Sequence, residues 1–166
     1  MTAMTTTTTD VERAVRGILD PEIPVITIDD LGIVRDVELV GDDLVRVTIT
    51  PTYSGCPAME AIAQQIRLVA ERHGRRAEVV TRLSPPWTTD WMSEEGREAL
   101  RRFGIAPPTG TRPAGPVTVS LSVRRVTCPH CGSEDTEELA RFGSTACKAL
   151  RRCRACREPF EEFKAI

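Results

Sequence analysis

The sequence predicts an α/β fold: a small mixed sheet covered by helices in the order helix-strand-strand-helix-strand-helix, followed by a small β zinc-ribbon domain. Three observations predict it. Apolar residues switch between helical and strand spacing from about Val11 to Phe103. Two Cys-x-x-Cys units follow, with 21 residues between Cys131 and Cys153. Between these regions lies a stretch carrying Pro107, Pro108, Pro113 and Pro116, with the composition of a linker.

The first helix starts at Thr9-Asp10-Val11-Glu12, which fits a capping box with Thr9 as N-cap. Val11, Ala14, Val15, Ile18 and Leu19 mark its apolar face. Asp20-Pro21-Glu22-Ile23-Pro24 stops it, because a residue before proline avoids the α region. Two acids thus flank a rigid turn, either an exposed turn or an acidic edge near a site. Ile33, Val37 and Leu39 alternate as one strand, Gly41-Asp42-Asp43 forms a hairpin turn, and Val45, Val47 and Ile49 return.

Pro51-Thr52-Tyr53-Ser54-Gly55-Cys56-Pro57 joins that strand to the second helix. The helix carries Met59, Ile62, Ala63, Ile66, Val69 and Ala70 at helical spacing, His73 at its end and Gly74 just beyond. Pro57 suits the first helical position, so Cys56 lies at or next to the N-cap. Free N–H groups and the helix dipole there are expected to lower the thiol pKa. The other reading of Cys56 is a small residue packed into a strand–helix corner.

Val79, Thr81 and Leu83 predict a third strand. The loop Trp87-Thr88-Thr89-Asp90-Trp91-Met92 either pins itself to the core or lines a partner surface. Ser93-Glu94-Glu95 caps a helix through Ala99, Leu100 and Phe103, which ends at Gly104. The expected organisation is a frayed start over 1–9, a domain over 10–106, a linker over 107–116 and a ribbon over 117–166. The ribbon opens with Val117, Val119, Leu121 and Val123 in strand alternation.

The chain has 166 residues, 28% charged, with net charge −2, which does not point to a nucleic-acid binder. No apolar run approaches the roughly 20 residues of a membrane span. The start, Met-Thr-Ala-Met and five threonines, lacks signal-peptide regions, so a cytoplasmic protein is expected. There reduced thiols favour metal ligation over disulfides. Cys128, Cys131, Cys153 and Cys156 form the expected closed structural zinc site, with iron in the same sulfurs as the rival. His130 and Cys147 are spare: His130 inside a knuckle, Cys147 either packed in a ribbon strand or a second metal or redox group. Arg151, Arg152, Arg154 and Arg157 cluster near the second knuckle, facing either nucleic-acid phosphates or an acidic protein surface.

The turn Asp20-Pro21-Glu22-Ile23-Pro24, Asp30-Leu31-Gly32 and the Cys56 loop resemble the MIP-type iron–sulfur assembly domain of SUF-associated and cytosolic iron–sulfur targeting proteins. With the tryptophan loop and the run from Cys128 to Lys164, the chain over roughly 10–166 resembles the PaaD family, accessory subunits of the bacterial phenylacetyl-CoA epoxidase (ring 1,2-epoxidase) system of phenylacetate catabolism. The resemblance implies an accessory factor rather than the oxygenase. Its partners would be the epoxidase subunits, especially the iron–sulfur reductase that feeds the di-iron oxygenase, and iron–sulfur assembly machinery. The family's reactive cysteine maps onto Cys56 and its acidic turn onto Asp20 and Glu22.

On that reading Cys56 holds iron or a cluster in passing. Thr52, Ser54 and the Gly55 backbone would hydrogen-bond the sulfurs. The missing ligands would come from a second copy of the chain, from the client or from the acidic turn. Three other readings stand beside it: a zinc-ribbon adaptor in which Cys56 only packs, an enzyme with Cys56 as nucleophile, and a nucleic-acid-binding ribbon. The enzyme needs a positioned base; only His73 and His130 are available, neither in a catalytic context. A non-enzymatic accessory protein is therefore expected.

Overall fold

The computed structural model describes residues 8–109 and 125–165. The strand expected over 117–123 and residues 110–116 of the expected linker lie outside the described residues. The chain divides into two compact units between Trp87 and Thr88.

In the first unit, helix α1 (Thr8–Arg16) starts ahead of Thr9, so Thr9 lies within the helix rather than at its cap. Val11 and Val15 are fully buried. The helical period ends at Gly17, whose N–H donates to Arg13 O at 3.0 Å, so Leu19 leaves the predicted apolar face and is 47% exposed. The segment from Ile18 to Ile33 is an irregular but buried layer: Ile23, Ile26, Ile28, Leu31 and Ile33 are all core residues. Its backbone groups find partners locally, with Asp20 N–H on Ile26 O at 2.9 Å and Ile28 N–H on Ile18 O at 2.8 Å, as burial demands.

Strand β1 (Val34–Val40) pairs antiparallel with β2 (Leu44–Ile49) through a turn with Gly41 at φ 66°. Helix α2 (Ala58–Arg72) then crosses to β3 (Arg76–Thr81), which lies parallel to β2. Val45, Val47 and Ile49 are fully buried on one face of β2, and α2 buries Ile62, Ile66 and Ala70. The opposite face carries Glu38, Arg46 and Glu78 side by side on the three strands, with ion pairs of 3.4 and 2.8 Å. His73 is the C-cap of α2 and Gly74, at φ 70°, follows it, as predicted. β3 begins at Arg76, earlier than predicted, because it starts in register with Leu44; Leu83 lies beyond it and is 61% exposed.

The tryptophan loop starts at this unit's edge. Trp87 is buried and its Nε1 donates to Leu31 O at 2.9 Å, so it pins the chain to the buried layer.

In the second unit, Trp91 ends a short 3-10 turn over Thr89–Trp91. Helix α3 (Glu94–Phe103) follows, capped by Ser93 Oγ, which accepts Gly96 N–H at 2.9 Å, and closed by left-handed Gly104. Leu100 is fully buried, but Phe103, predicted on the same face, is exposed. The strands β4 (Ile105–Ala106), β5 (Thr136–Ala140), β6 (Lys148–Cys153) and β7 (Pro159–Phe163) form one sheet in the order β4-β7-β6-β5. β5, β6 and β7 are antiparallel neighbours; β4 is parallel to β7, with Ile105 opposite Glu161. That pairing places α3 and β4 in the same compact unit as the ribbon strands. No helix among the described residues is long and apolar enough to cross a membrane.

Candidate functional site

The metal centre is assembled by two loops of one design. In each, the first cysteine's N–H donates to a carbonyl five residues on: Cys128 to Ser133 at 2.9 Å, Cys153 to Glu158 at 3.0 Å. The turn brings the two sulfurs of each loop to one side. The four Sγ atoms of Cys128, Cys131, Cys153 and Cys156 lie within 4.8 Å of one another. Across the loops, Cys128 and Cys156 are 3.8 Å apart and Cys131 and Cys153 3.5 Å. The corners of a zinc–thiolate tetrahedron, with bonds of about 2.3 Å, are about 3.8 Å apart, so the sulfurs are already spaced for a tetrahedral ion.

Their electrostatics agree. The Cys156 N–H holds the Cys153 thiol down to about 7. Cys156, although it receives the Glu158 N–H, is pushed up to about 12 by burial and by its three cysteine neighbours. Burial also raises the Cys128 thiol. Four thiols this close cannot all ionise without a cation between them, and a dication removes that conflict. This is a tetracysteine metal-binding site. Cys128 and Cys153 are also core residues, packed with Ala106, Val126 and Phe160, so the site and the hydrophobic core of this unit are one structure.

The spare residues are settled by packing. His130 meets Phe160 edge-to-face, ring centroids 6.4 Å apart, and lies 3.2 Å from where a Cβ on Gly104 would stand. It is exposed on its other side and is not among the metal-spaced groups. Cys147 is buried beside Thr145 Oγ1 at 3.0 Å, directly ahead of β6.

The arginine cluster is mostly committed within the ribbon. Arg151 is buried against Glu162 at 3.0 Å. Glu137 takes Arg152 on one oxygen, at 2.5 and 3.0 Å, and Arg154 on the other, at 3.0 and 3.3 Å. Of the four arginines, three are thus paired with acids of the ribbon, Arg151 buried and Arg152 and Arg154 still exposed. The adjacent strands placed acids opposite them: Glu137 is the register partner of Arg152 and Glu138 of Arg151.

In the first unit, Cys56 sits one residue ahead of Pro57, the N-cap of α2. It is half-buried. Asp20 is buried and shapes the acidic turn, its Oδ1 accepting the N–H groups of Glu22 at 2.9 Å and Ile23 at 2.8 Å. This fold brings the Asp20 and Glu22 carboxylates close enough to act electrostatically on Cys56. Burial, then these two carboxylates, raise the Cys56 thiol above its ordinary value, against the Ala58 N–H and the Tyr53 hydroxyl, which lower it. The expected lowering is thus reversed: desolvation and two like charges outweigh the helix terminus. Thr52 is buried and Ser54 is exposed, on either side of Tyr53. Sequence reasoning does not single out Tyr53; its only signal there is its place three residues before Cys56. Gly55, at φ 90°, makes the turn that presents the cysteine.

Comparison with known proteins agrees with both units. Residues 8–80 match the family model described as iron–sulfur cluster assembly protein, and residues 112–164 match the PaaD zinc β-ribbon domain. A protein of Escherichia coli (strain K12), named as one of the subunits of 1,2-phenylacetyl-CoA epoxidase, is 50% identical over 150 residues, covering 90% of this chain and 87% of its own. A Porphyromonas gingivalis protein named Fe-S protein maturation auxiliary factor is 36% identical over 88 residues, covering 52% of this chain and 83% of its own. The crystal structure of a domain of unknown function (DUF59) from Bacillus anthracis superposes with a TM-score of 0.50 at 27% identity, covering 55% of this chain and 89% of that one. With the assembly domain leading and the metal-binding ribbon following, the chain belongs to the PaaD family of phenylacetyl-CoA epoxidase subunits.

Proposed function

We propose that this chain is the accessory maturation protein of a phenylacetyl-CoA epoxidase complex. It assists iron–sulfur cluster assembly on, or delivery to, the reductase subunit through Cys56, and its ribbon holds one structural zinc ion. The observation that carries the reading is a half-buried thiol at the entrance of α2, beside an acidic turn, in a domain of the iron–sulfur assembly family. Iron or a cluster is the cargo here and zinc the resident ion. Ligation by Cys56 releases the thiol proton. Because burial, Glu22 and Asp20 favour that proton's return, a cargo held by this sulfur is held weakly and passed on readily.

Thr52, Ser54 and the Gly55 backbone are proposed to hydrogen-bond the cargo's sulfurs. A second copy of the chain, the client or the acidic turn would supply the remaining ligands. The setting proposed is the cytoplasm, with the epoxidase subunits and the iron–sulfur assembly machinery as partners.

One feature favours a second reading, a zinc-ribbon adaptor in which Cys56 is structural: the sulfur is half-buried, and burial, Glu22 and Asp20 disfavour its thiolate form. The test is anaerobic iron–sulfur reconstitution of the full chain and of Cys56→Ala, with metal, sulfide and reductase maturation measured. Equal zinc in both, with iron, sulfide and maturation lost only in Cys56→Ala, is expected. Full maturation by Cys56→Ala would establish the adaptor instead.

A further inference from the structure

The two knuckles share their closing hydrogen bond and their backbone. In each, the residue after the second cysteine takes a positive φ: Gly132 at 78° and Arg157 at 66°. Glycine is the residue that this conformation favours, and the first knuckle has it. Arg157 is the one non-glycine residue with positive φ among the described residues. A Cβ at Gly132 would meet nothing within 4 Å, so glycine there answers to φ alone. Keeping a long side chain at the equivalent place in the second knuckle, against the backbone preference, points to a use for that side chain.

Arg157 is exposed, and its guanidinium makes no hydrogen bond or ion pair among the described residues. It lines, with Arg152, Cys153 and Arg154, a groove of about 330 Å³. The other two guanidinium groups are held by Glu137, and Asp135 stands 3.7 Å from Arg154. The acids nearby are therefore occupied by other cations, and Glu158 follows Arg157 in the chain as an exposed residue. Cys153 lines the same groove. Four thiolates around a dication carry a net charge of −2, and the residues between and after the first pair of cysteines, Pro129, His130 and Gly132, bring no permanent cation to offset it.

We infer that Arg157 is a charge-compensating residue of the metal centre. Its guanidinium offsets part of the negative charge of the thiolate–metal unit from the second knuckle and slows loss of the ion, and the backbone strain at this position is retained for that charge. The inference rests on the tetracysteine site holding a dication and is independent of what Cys56 does.

The test uses the full chain loaded with zinc, as the intact protein, Arg157→Gly and Arg157→Lys. Zinc per chain is measured first: less than one in the intact protein would refute the resident ion itself. Release to a chromogenic chelator is then timed at low and high salt. Arg157→Gly, which relieves the backbone strain and preserves the loop, is expected to release zinc on the order of tenfold faster at low salt, with Arg157→Lys close to the intact protein. The gap is expected to close in about 1 M salt, where screening reaches within about 3 Å. Equal release by Arg157→Gly and the intact protein would overturn the inference. So would a difference that persists unchanged in high salt, or one that lysine fails to rescue.

Discussion

Arg151 and Glu162 form an ion pair at 3.0 Å inside the ribbon, with side chains 11% and 2% exposed, on neighbouring strands β6 and β7. Thr136 Oγ1 takes a second N–H of the guanidinium at 3.3 Å, yet Arg151 Nε is left without a partner. Removing one member of such a pair leaves an uncompensated buried charge, whereas replacing both with apolar groups of similar volume does not. Glu162→Leu alone is therefore expected to cost about 3–5 kcal/mol, as is Arg151→Met alone, and the double replacement Arg151→Met with Glu162→Leu to be near neutral. Denaturant unfolding of the zinc-loaded chain, run as a double-mutant cycle, checks this; additive losses would show that the pair is not coupled.

His130 packs rather than ligates. His130→Ala should therefore leave one zinc per chain and lower the unfolding midpoint of the ribbon. Gly104→Ala should do worse, because it adds strain at φ 89° and drives a methyl group to 3.2 Å from the His130 ring. Metal analysis beside thermal unfolding separates the two effects. Loss of zinc in His130→Ala would make the imidazole a ligand after all.

Removing the metal should act on one unit. Cys128 and Cys153 belong to the core cluster of the second unit, so chelation takes away its centre as well as its cross-link. Backbone hydrogen exchange after chelation is expected to rise over 125–165. The buried face of α2, built on Ile62, Ile66 and Ala70, should keep its protection. Uniform loss over both regions would show that the first unit depends on the metal.

The Cys56 thiol is raised chiefly by burial, with Glu22 and Asp20 adding to the effect. Alkylation of Cys56 should accordingly be slow at pH 7 and speed up only above the ordinary thiol range. Glu22→Gln should shift that profile to lower pH. The sign for stability follows from the proton balance: a raised native pKa means that the native state keeps the proton longer than the unfolded chain. The contribution is present below the unfolded thiol value and is lost as pH rises through the native one. A profile for Glu22→Gln identical to that of the intact protein would remove Glu22 from the site.

Much of this was legible in the residues because it depends on short-range chemistry. The strand–turn–strand with Gly41, the helix through Ile62 and Ile66, the Ser93 cap and the Gly104 stop all follow from spacing and from what one residue does to its own backbone. The metal ligands were legible for the same reason: two residues between cysteines already turn both sulfurs to one side. The place of Cys56 just ahead of α2 was legible in the same way, from Pro57 at the start of the helix.

What needed the tertiary structure was whatever depends on partners far along the chain. Nothing local marks Ala106 as the neighbour of Glu162, yet that pairing moves α3 and β4 into the ribbon's unit. The isoleucines between Ile18 and Ile33 follow neither helical nor strand period, so their burial appears only once the sheet and helices enclose them. The arginines after Leu150 read as one exposed basic run until the folded ribbon brings Glu137 and Glu162 within ion-pair distance of three of them. The direction of the Cys56 pKa is a balance of solvation, two carboxylates and two donors. Its helix terminus was visible in the sequence, but burial and the carboxylates outweigh that terminus only in the folded chain.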